Sequence, residues 1–394
     1  MIEYAGSRAE GLRARREAAD VASIARRLDW LLLVAVAALV GYGLWAIAGI
    51  TQHDVAGDPN YYVIRQGVYA GVGVVALAVV SLVDPDHYRR YWRFVFGGTV
   101  ALMLFVFVAG PVTRGSRRWL DFGFFRFQPS EFGKLLFVLA LAGFLAERGR
   151  RTGERQTTLT LVGLALVPIL LVFVQPDLGT ALVYTAALFA ILFVGGTRWT
   201  HLGALALVGV LATASVLWVF PAAGVNVLKP YQVKRITGFF QPDSDPGGAT
   251  YNVKQSVTAV GAGQFHGRGP EGATQTKLAF LPEHATDFAF ASLAEQRGFV
   301  GATVLLLLYL LVVWRGLRTI TLARDLYSAV VAGGIVIALL FQIFVNVGMT
   351  MAIAPITGIP LPFVSVGGSS MISNLTAMGV LLAIHARGRG RRRR

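Results

Sequence analysis

Cysteine is absent from this chain of 394 residues. Its absence excludes a disulfide framework and any metal site built from thiolates. Charged residues are also scarce, since they make up 14% of the chain while hydrophobic residues make up 55%. The composition therefore excludes an ordinary soluble domain and indicates a chain that lies mostly within a membrane.

The chain instead contains many long apolar runs. They repeatedly reach the roughly 20 residues that cross the hydrocarbon core of a bilayer. We therefore predict an all-α polytopic membrane protein with about ten transmembrane helices. Residues 222–286 contain no strong apolar stretch and are predicted to form a large extracytoplasmic loop between helices 7 and 8. The predicted spans lie near residues 30–50, 62–83, 92–111, 131–147, 157–175, 177–195, 200–221, 287–314, 327–351 and 361–385.

The net charge of +15 is unevenly distributed. Arginines cluster before the first span, after the last one and in every even-numbered gap between spans, so the positive-inside rule puts both termini in the cytoplasm. We predict a basic cytoplasmic segment at 1–28, a membrane domain at 29–386 and an arginine-rich tail at 387–394. The tail is interpreted as a topology signal and an anchor to anionic lipid, rather than a nucleic-acid site. No cleavable signal peptide is predicted, so the first span remains as a membrane anchor.

The third gap, on the predicted outer side, breaks this charge pattern. It contains Arg114, Arg117, Arg118 and Arg126. One interpretation is tolerated charge in a short loop, or a miscounted span. The other is a binding surface for an anionic lipid headgroup or a pyrophosphate, because guanidinium groups donate to phosphate in pairs. Trp119 in the same gap is either an interfacial anchor or a platform for the face of a sugar.

Several further polar side chains lie at the predicted ends of spans. Glu131 and Lys134 are three residues apart, so one helix face can carry both as an ion pair, either structural or functional. Asp177 suits a helix N-cap, with a polar role in a shared cavity as the alternative. Two close prolines and two adjacent glycines between 355 and 370 predict a broken or re-entrant backbone.

Glu283 and Asp287 stand where the large loop re-enters an apolar span. Asp287 could cap the helix that follows, since Thr and Asp suit helix starts. It could also serve as a functional carboxylate near the membrane surface, where a buried charge needs a reason. The loop before it supplies further basic residues, among them Lys234, Arg235 and Lys254.

Five motifs together resemble the SEDS family, the shape, elongation, division and sporulation family of cell-wall polymerases. The resemblance covers about residues 28–385 and is stronger to the elongation member RodA than to the division member FtsW. The motifs are Gly115-Ser-Arg-Arg-Trp-Leu120, Phe127-Gln-Pro-Ser-Glu131 with Lys134, Gln175-Pro-Asp-Leu-Gly-Thr180, Gln275 with Phe280-Leu-Pro-Glu283 and Thr286-Asp-Phe288, and Pro355-Ile-Thr-Gly-Ile-Pro-Leu-Pro-Phe-Val-Ser365 with Gly367-Gly-Ser-Ser370.

The resemblance implies a peptidoglycan glycosyltransferase of the bacterial cytoplasmic membrane, with its active site on the outer side. Such an enzyme polymerises lipid II during cell elongation, releases undecaprenyl pyrophosphate and works with a class B penicillin-binding protein and the elongation machinery. It implies Asp287 as the catalytic residue, and Trp119, Glu131, Lys134 and Asp177 as residues of the central cavity, with Glu283 in support. Basic residues would bind the pyrophosphate; the candidates are Arg114, Arg117, Arg118, Lys234, Arg235 and Lys254. A divalent cation, Mg²⁺ or Mn²⁺, is compatible with this chemistry, and no metal ligands are assigned.

Two residues depart from the family pattern. The histidine that usually precedes the threonine is displaced by one place to His284, and Val366 stands where the family usually has a tyrosine. Two other functions remain open: a transporter that flips a lipid-linked cell-wall precursor, and an O-antigen-type polymerase or ligase. The transporter would be expected to show internal repeats, and none is evident in the sequence.

Overall fold

The computed structural model of the protein describes residues 26–112, 116–225, 228, 232–233, 239 and 249–392. Over these residues the regular secondary structure is helical apart from one two-stranded antiparallel hairpin, β1 (Leu120–Asp121) and β2 (Arg126–Phe127). The α-helices are α1 (Trp30–Ile50), α2 (Tyr61–Leu82), α3 (Pro85–Arg90), α4 (Trp92–Ala109), α5 (Pro129–Arg148), α6 (Arg155–Val174), α7 (Leu178–Val194), α8 (Trp199–Ala214), α9 (Phe220–Ala222), α10 (Ala249–Ala262), α11 (Gly269–Gly272), α12 (Thr274–Lys277), α13 (Ala289–Leu322), α14 (Leu326–Thr350) and α15 (Gly368–Arg392). A 3₁₀ helix (Gly149–Gly153) follows α5, and a π-helical turn (Ser215–Val219) follows α8.

Nine helices in the described part of the chain are long and apolar enough to cross a membrane. The helix α7 is also apolar but has 17 residues. Together these ten match the predicted spans in number and order, and the predicted fold class of an all-α polytopic membrane protein is confirmed. The domain boundaries at 28 and 386 stay predictions.

The centre of the bundle is formed by α5, α14 and α15, which are the most buried of the long helices, whereas α8 is the most exposed. The helix α15 packs along α2, α14 packs on α7 and α13, and α4 packs on α5. Apolar side chains facing these neighbours form one large buried cluster. The exposed apolar surface of the outer helices is what a lipid-facing wall requires.

The chain between α14 and α15 is irregular, as the prolines and glycines predicted. Residues 351–367 form no helix or strand, and Gly358 has a positive φ angle of 71°. Proline lacks the N–H group that a helix needs, so Pro360 and Pro362 keep this segment out of α15. The predicted start of the last span near 361 was therefore too early, since α15 begins at Gly368.

The helix α13 is interrupted at Gly298, whose backbone angles are φ 63° and ψ −164°. Residues 264–268 pack against this interruption: Phe299 N donates to the Gln264 carbonyl at 2.8 Å, and Arg268 N donates to the Glu295 carbonyl at 3.0 Å. The interruption thus fixes residues 264–268 of the large loop to the helix α13.

Gly298→Ala is expected to lower stability, because this backbone region is almost exclusive to glycine and costs other residues about 1–3 kcal/mol. An added Cβ would also lie 2.3 Å from the backbone nitrogen of Gly267. The thermal midpoint in detergent measures the effect. Gly41→Ala, in a helix where a Cβ meets nothing within 4 Å, is the control. Equal midpoints for both variants would contradict the expectation.

A buried ion cluster ties three helices together at the opposite end of α13. Arg315 donates to one oxygen of Asp29 through Nη2 at 2.7 Å and Nε at 2.9 Å, and His385 Nδ1 lies 3.4 Å from the same oxygen. Asp29 also caps α1 by accepting from Leu32 N at 3.2 Å. The start of α1 and the end of α15 therefore lie at the same end of the bundle.

Candidate active site

A cavity of about 410 Å³ lies at the other end of the bundle. Its walls come from the hairpin segment (residues 116–128, which include β1 and β2), the starts of α5 and α7, the loop before α13 and the irregular segment before α15. The lining residues that are polar or charged, or that carry a polar group on an aromatic ring, are Ser116, Arg118, Trp119, Gln128, Glu131, Asp177, Thr180, Gln232, Glu283, Thr286, Asp287, Thr357, Ser369 and Ser370.

The hairpin segment is fastened to the start of α15 and to the turn between α6 and α7. Ser369 Oγ accepts from Gln128 N at 2.9 Å and donates to the Arg126 carbonyl at 2.9 Å. Arg118 donates to the carbonyls of Gln175, at 2.7 Å, and Pro176. These bonds hold Arg118 and its neighbour Trp119 at the cavity wall.

Glu131 and Lys134 form the predicted ion pair, with 2.8 Å between Lys134 Nζ and Glu131 Oε2. The side chains are 3% and 10% exposed, respectively. Glu131 lines the large cavity, whereas Lys134 lines a separate cavity of about 30 Å³ with Gln342 and Asn374. The ion pair therefore has its carboxylate residue at the large cavity and its ammonium residue at the small one.

Asp177 both caps α7 and lines the cavity, the two roles that the sequence left open. One oxygen caps α7 by accepting from Thr180 N at 3.1 Å, and the other accepts from Gln128 Nε2 at 3.2 Å. The residue also lines the cavity. Capping fixes the carboxylate at the start of α7, where the unpaired backbone N–H groups favour negative charge.

The loop before α13 presents Glu283 and Asp287 to the cavity. Glu283 has a φ angle of 55°, and its Oε2 accepts from Thr286 Oγ1 at 2.8 Å. The N-cap of α13 is Phe288, so Asp287 does not hold the capping position that the sequence allowed.

Four successive backbone carbonyls of this loop each accept a hydrogen bond from another part of the chain. Those of His284 and Ala285 accept from Ser292 Oγ at 3.1 Å and Val366 N at 2.9 Å. Those of Thr286 and Asp287 accept from Ser365 Oγ and from Asn346 Nδ2, the latter at 2.9 Å. The donors lie on α13, α14 and the irregular segment. Asp287 is therefore held in place by three parts of the bundle.

Six of the predicted site residues meet at this cavity: Arg118, Trp119, Glu131, Asp177, Glu283 and Asp287. Lys134 does not line this cavity but is paired with Glu131, which does. Arg117 is exposed and donates to the Phe107 carbonyl at 2.7 Å, and Lys254 is exposed on α10; neither lines the cavity. Arg114, Lys234 and Arg235 lie outside the described residues.

Sequence reasoning missed Gln128, Gln232 and the serines of α15 as lining residues. Gln128 and Ser369 belong to two of the five family motifs, so those motifs could have indicated them as site residues. Gln232 lies in the large loop without any motif.

No group of three or more His, Asp or Glu side chains that could hold a metal ion occurs among the described residues. The carboxylates of Glu131, Asp177 and Glu283 are each bonded to another side chain or backbone group.

Comparison with known proteins identifies the family. The family model for the cell cycle proteins FtsW, RodA and SpoVE matches residues 27–390. The chain belongs to this family. It is 36% identical to the peptidoglycan glycosyltransferase MrdB of Escherichia coli K12, over 91% of this chain and 93% of MrdB. It is also 36% identical to the stage V sporulation protein E of Bacillus subtilis, over 90% of this chain and 94% of that protein.

A solved structure shares the fold. A chain in a structure described as a peptidoglycan synthase complex that coordinates polymerisation and crosslinking has a TM-score of 0.77 and 31% identity. The match covers 92% of this chain and 98% of that one. The family predicted from the five motifs is confirmed, and with it the prediction of a membrane-bound peptidoglycan glycosyltransferase. Equal identity to MrdB and to the sporulation protein does not separate the roles within the family.

Proposed function

We propose that this peptidoglycan glycosyltransferase polymerises lipid II at the cavity around Asp287, on the extracytoplasmic side of the bacterial cytoplasmic membrane, during cell elongation. The single observation that supports the site is the fixed position of Asp287 at the cavity wall, with four consecutive carbonyls of its loop bonded to the bundle. A general base must be held within reach of the proton that it removes.

The proposed orientation follows from the positions of the start of α1 and the end of α15. The start of α1 and the end of α15 lie together, and both are continued by arginine-rich segments. Positive segments remain in the cytoplasm. The cavity at the opposite end of the bundle then faces outward.

The proposed reaction is an inverting displacement. The acceptor 4-hydroxyl attacks C1 of the donor sugar, a C–O bond forms there, and the bond from C1 to the pyrophosphate oxygen breaks with its electron pair. Asp287 takes the hydroxyl proton, which contributes about 10²–10⁴-fold. Positive charge is needed beside the leaving pyrophosphate. Arg118 is the cation among the described lining residues, and its guanidinium is already fixed by two carbonyls.

The proposed partner is a class B penicillin-binding protein, which crosslinks the strands as they form. The related synthase complex, which combines polymerisation with crosslinking, supports this proposal.

Reconstitution with fluorescent lipid II tests the function. We expect glycan strands longer than the dimer when the purified protein and its transpeptidase are combined, and fewer strands without the transpeptidase. Translocation of lipid II across vesicles with no strands in any sample would contradict the proposal and identify a transporter. Strands formed only from a different lipid-linked glycan would identify the O-antigen-type alternative.

A further inference from the structure

The loop after α1 reaches the acid-bearing loop before α13 through a close pair. Asp54 follows α1, and its Oδ1 and Oδ2 lie 2.9 Å and 3.1 Å from His284 Nε2. The other ring nitrogen, Nδ1, lies 3.2 Å from the Leu281 carbonyl. Both imidazole nitrogens therefore face oxygen acceptors, the arrangement that favours a doubly protonated ring.

His284 lies beside the residues that form the cavity wall. It follows Glu283 directly, and its own carbonyl is one of the four that anchor the loop. The side chains of His284 and Asp54 are 14% and 21% exposed, so solvent screens their interaction only in part. An imidazolium here adds positive charge next to Glu283 and close in sequence to Asp287.

Charged groups approach the ring from two sides. Asp54 acts from the loop after α1, and Glu283 acts from the histidine's own loop. Further groups on the neighbouring elements have other partners: His53 lies 3.6 Å from Glu271 of α11. On α13, Glu295 accepts from the backbone nitrogens of residues 275 and 276.

We propose that Asp54 is a positioning residue, which holds His284 as an imidazolium and thereby fixes the loop that carries Glu283 and Asp287. This inference rests on the proposed function of Asp287. Burial alone would lower the pKa of His284, but the hydrogen bond and negative charge of Asp54 outweigh it and raise that pKa above its ordinary value. The displaced histidine of this chain thus acquires a partner 230 positions earlier in the sequence.

The sign of the pH dependence follows from the raised pKa. A group whose pKa is higher in the folded protein contributes stability below its unfolded pKa, and that contribution is lost as the pH rises through the folded pKa. Activity that needs the imidazolium should therefore fall on the alkaline side. Without Asp54, the effect of burial on the pKa of His284 is no longer outweighed, so that pKa is lower. The activity should then be lost at a lower pH than in the wild type.

The test compares wild type, Asp54→Asn and Asp58→Asn in the full-length protein. Asp58 lies in the same loop, is exposed, and accepts from Asn60 N at 3.2 Å, a bond that an asparagine oxygen can also accept. We expect the alkaline limit of lipid II polymerisation to move down by about one pH unit or more in Asp54→Asn. Asp58→Asn should retain the wild-type profile, and Asp54→Glu, which keeps the carboxylate, should show a smaller shift than Asp54→Asn. An unshifted limit in Asp54→Asn, or an equal shift in Asp58→Asn, would overturn the inference.

A second measurement needs no substrate. The difference in thermal midpoint between wild type and Asp54→Asn should be largest at about pH 6, below the ordinary pKa of histidine, and should shrink as the pH rises through the pKa of His284. A difference that does not change with pH would overturn the inference even if polymerisation is observed. A pH-dependent difference in a protein that forms no glycan would instead support the pair and refute the proposed function. If Asp54→Asn fails to fold, His284→Gln provides the same midpoint comparison.

Discussion

Asp287→Asn is expected to slow glycan synthesis strongly while lipid II still binds. The substitution keeps the size and shape of the side chain but removes its ability to accept a proton at neutral pH. The backbone carbonyl of Asp287 would still accept from Asn346, so the loop should keep its position. The expected loss in the polymerisation rate is about 10²–10⁴-fold, the usual contribution of a general base.

The matched control for this prediction is Asp58→Asn, which makes the same chemical change in an exposed loop. It should polymerise lipid II at the wild-type rate. Asp287→Glu keeps the carboxylate but moves it by one methylene. It therefore tests whether the position of the carboxylate matters as well as its ability to accept a proton. We expect partial activity from Asp287→Glu; more activity from the Asn variant than from the Glu variant would argue against proton transfer.

Lys134→Met is expected to reduce both stability and activity. It leaves the Glu131 carboxylate, 3% exposed, without the ammonium group that lies 2.8 Å away. Removing one partner from a buried ion pair costs about 3–5 kcal/mol. Because Glu131 borders the cavity, water there can solvate part of the charge, and the loss should lie toward the lower end of that range. The thermal midpoint in detergent and the polymerisation rate measure the two effects.

The double variant Glu131→Gln/Lys134→Met removes both charges and should recover most of the lost stability. Recovery of stability without recovery of activity would assign the charges themselves to the reaction. Recovery of both would make the pair purely structural. Additive losses in the double variant would contradict the ion pair, since independent residues add and coupled residues do not.

The sequence predicted those parts of the structure that depend on local pattern. Apolar runs predicted ten spans because each helix must satisfy its own backbone within lipid. The spacing of Glu131 and Lys134 predicted their contact, since residues three apart share a helix face. Asp177 was predicted as a cap because its type and position suit one.

The arrangement around Asp287 depends on contacts between residues far apart in the chain. Ser365 donates to the Thr286 carbonyl across 79 positions, and His284 meets Asp54 across 230 positions. No periodicity connects such residues, so the anchoring of the loop could not be predicted from the sequence. The start of α15 was placed too early because the apolar run extends back to Leu361, although the prolines there prevent a helix.

Single-turnover polymerisation with Asp287→Asn tests the central claim most directly. Enzyme in excess is loaded with labelled lipid II, bound lipid is quantified, and the formation of the first glycosidic bond is followed with the transpeptidase present. We predict wild-type binding and a bond-forming rate lowered by about 10²–10⁴-fold. Bond formation at the wild-type rate in this variant would contradict the assignment of Asp287 as the general base.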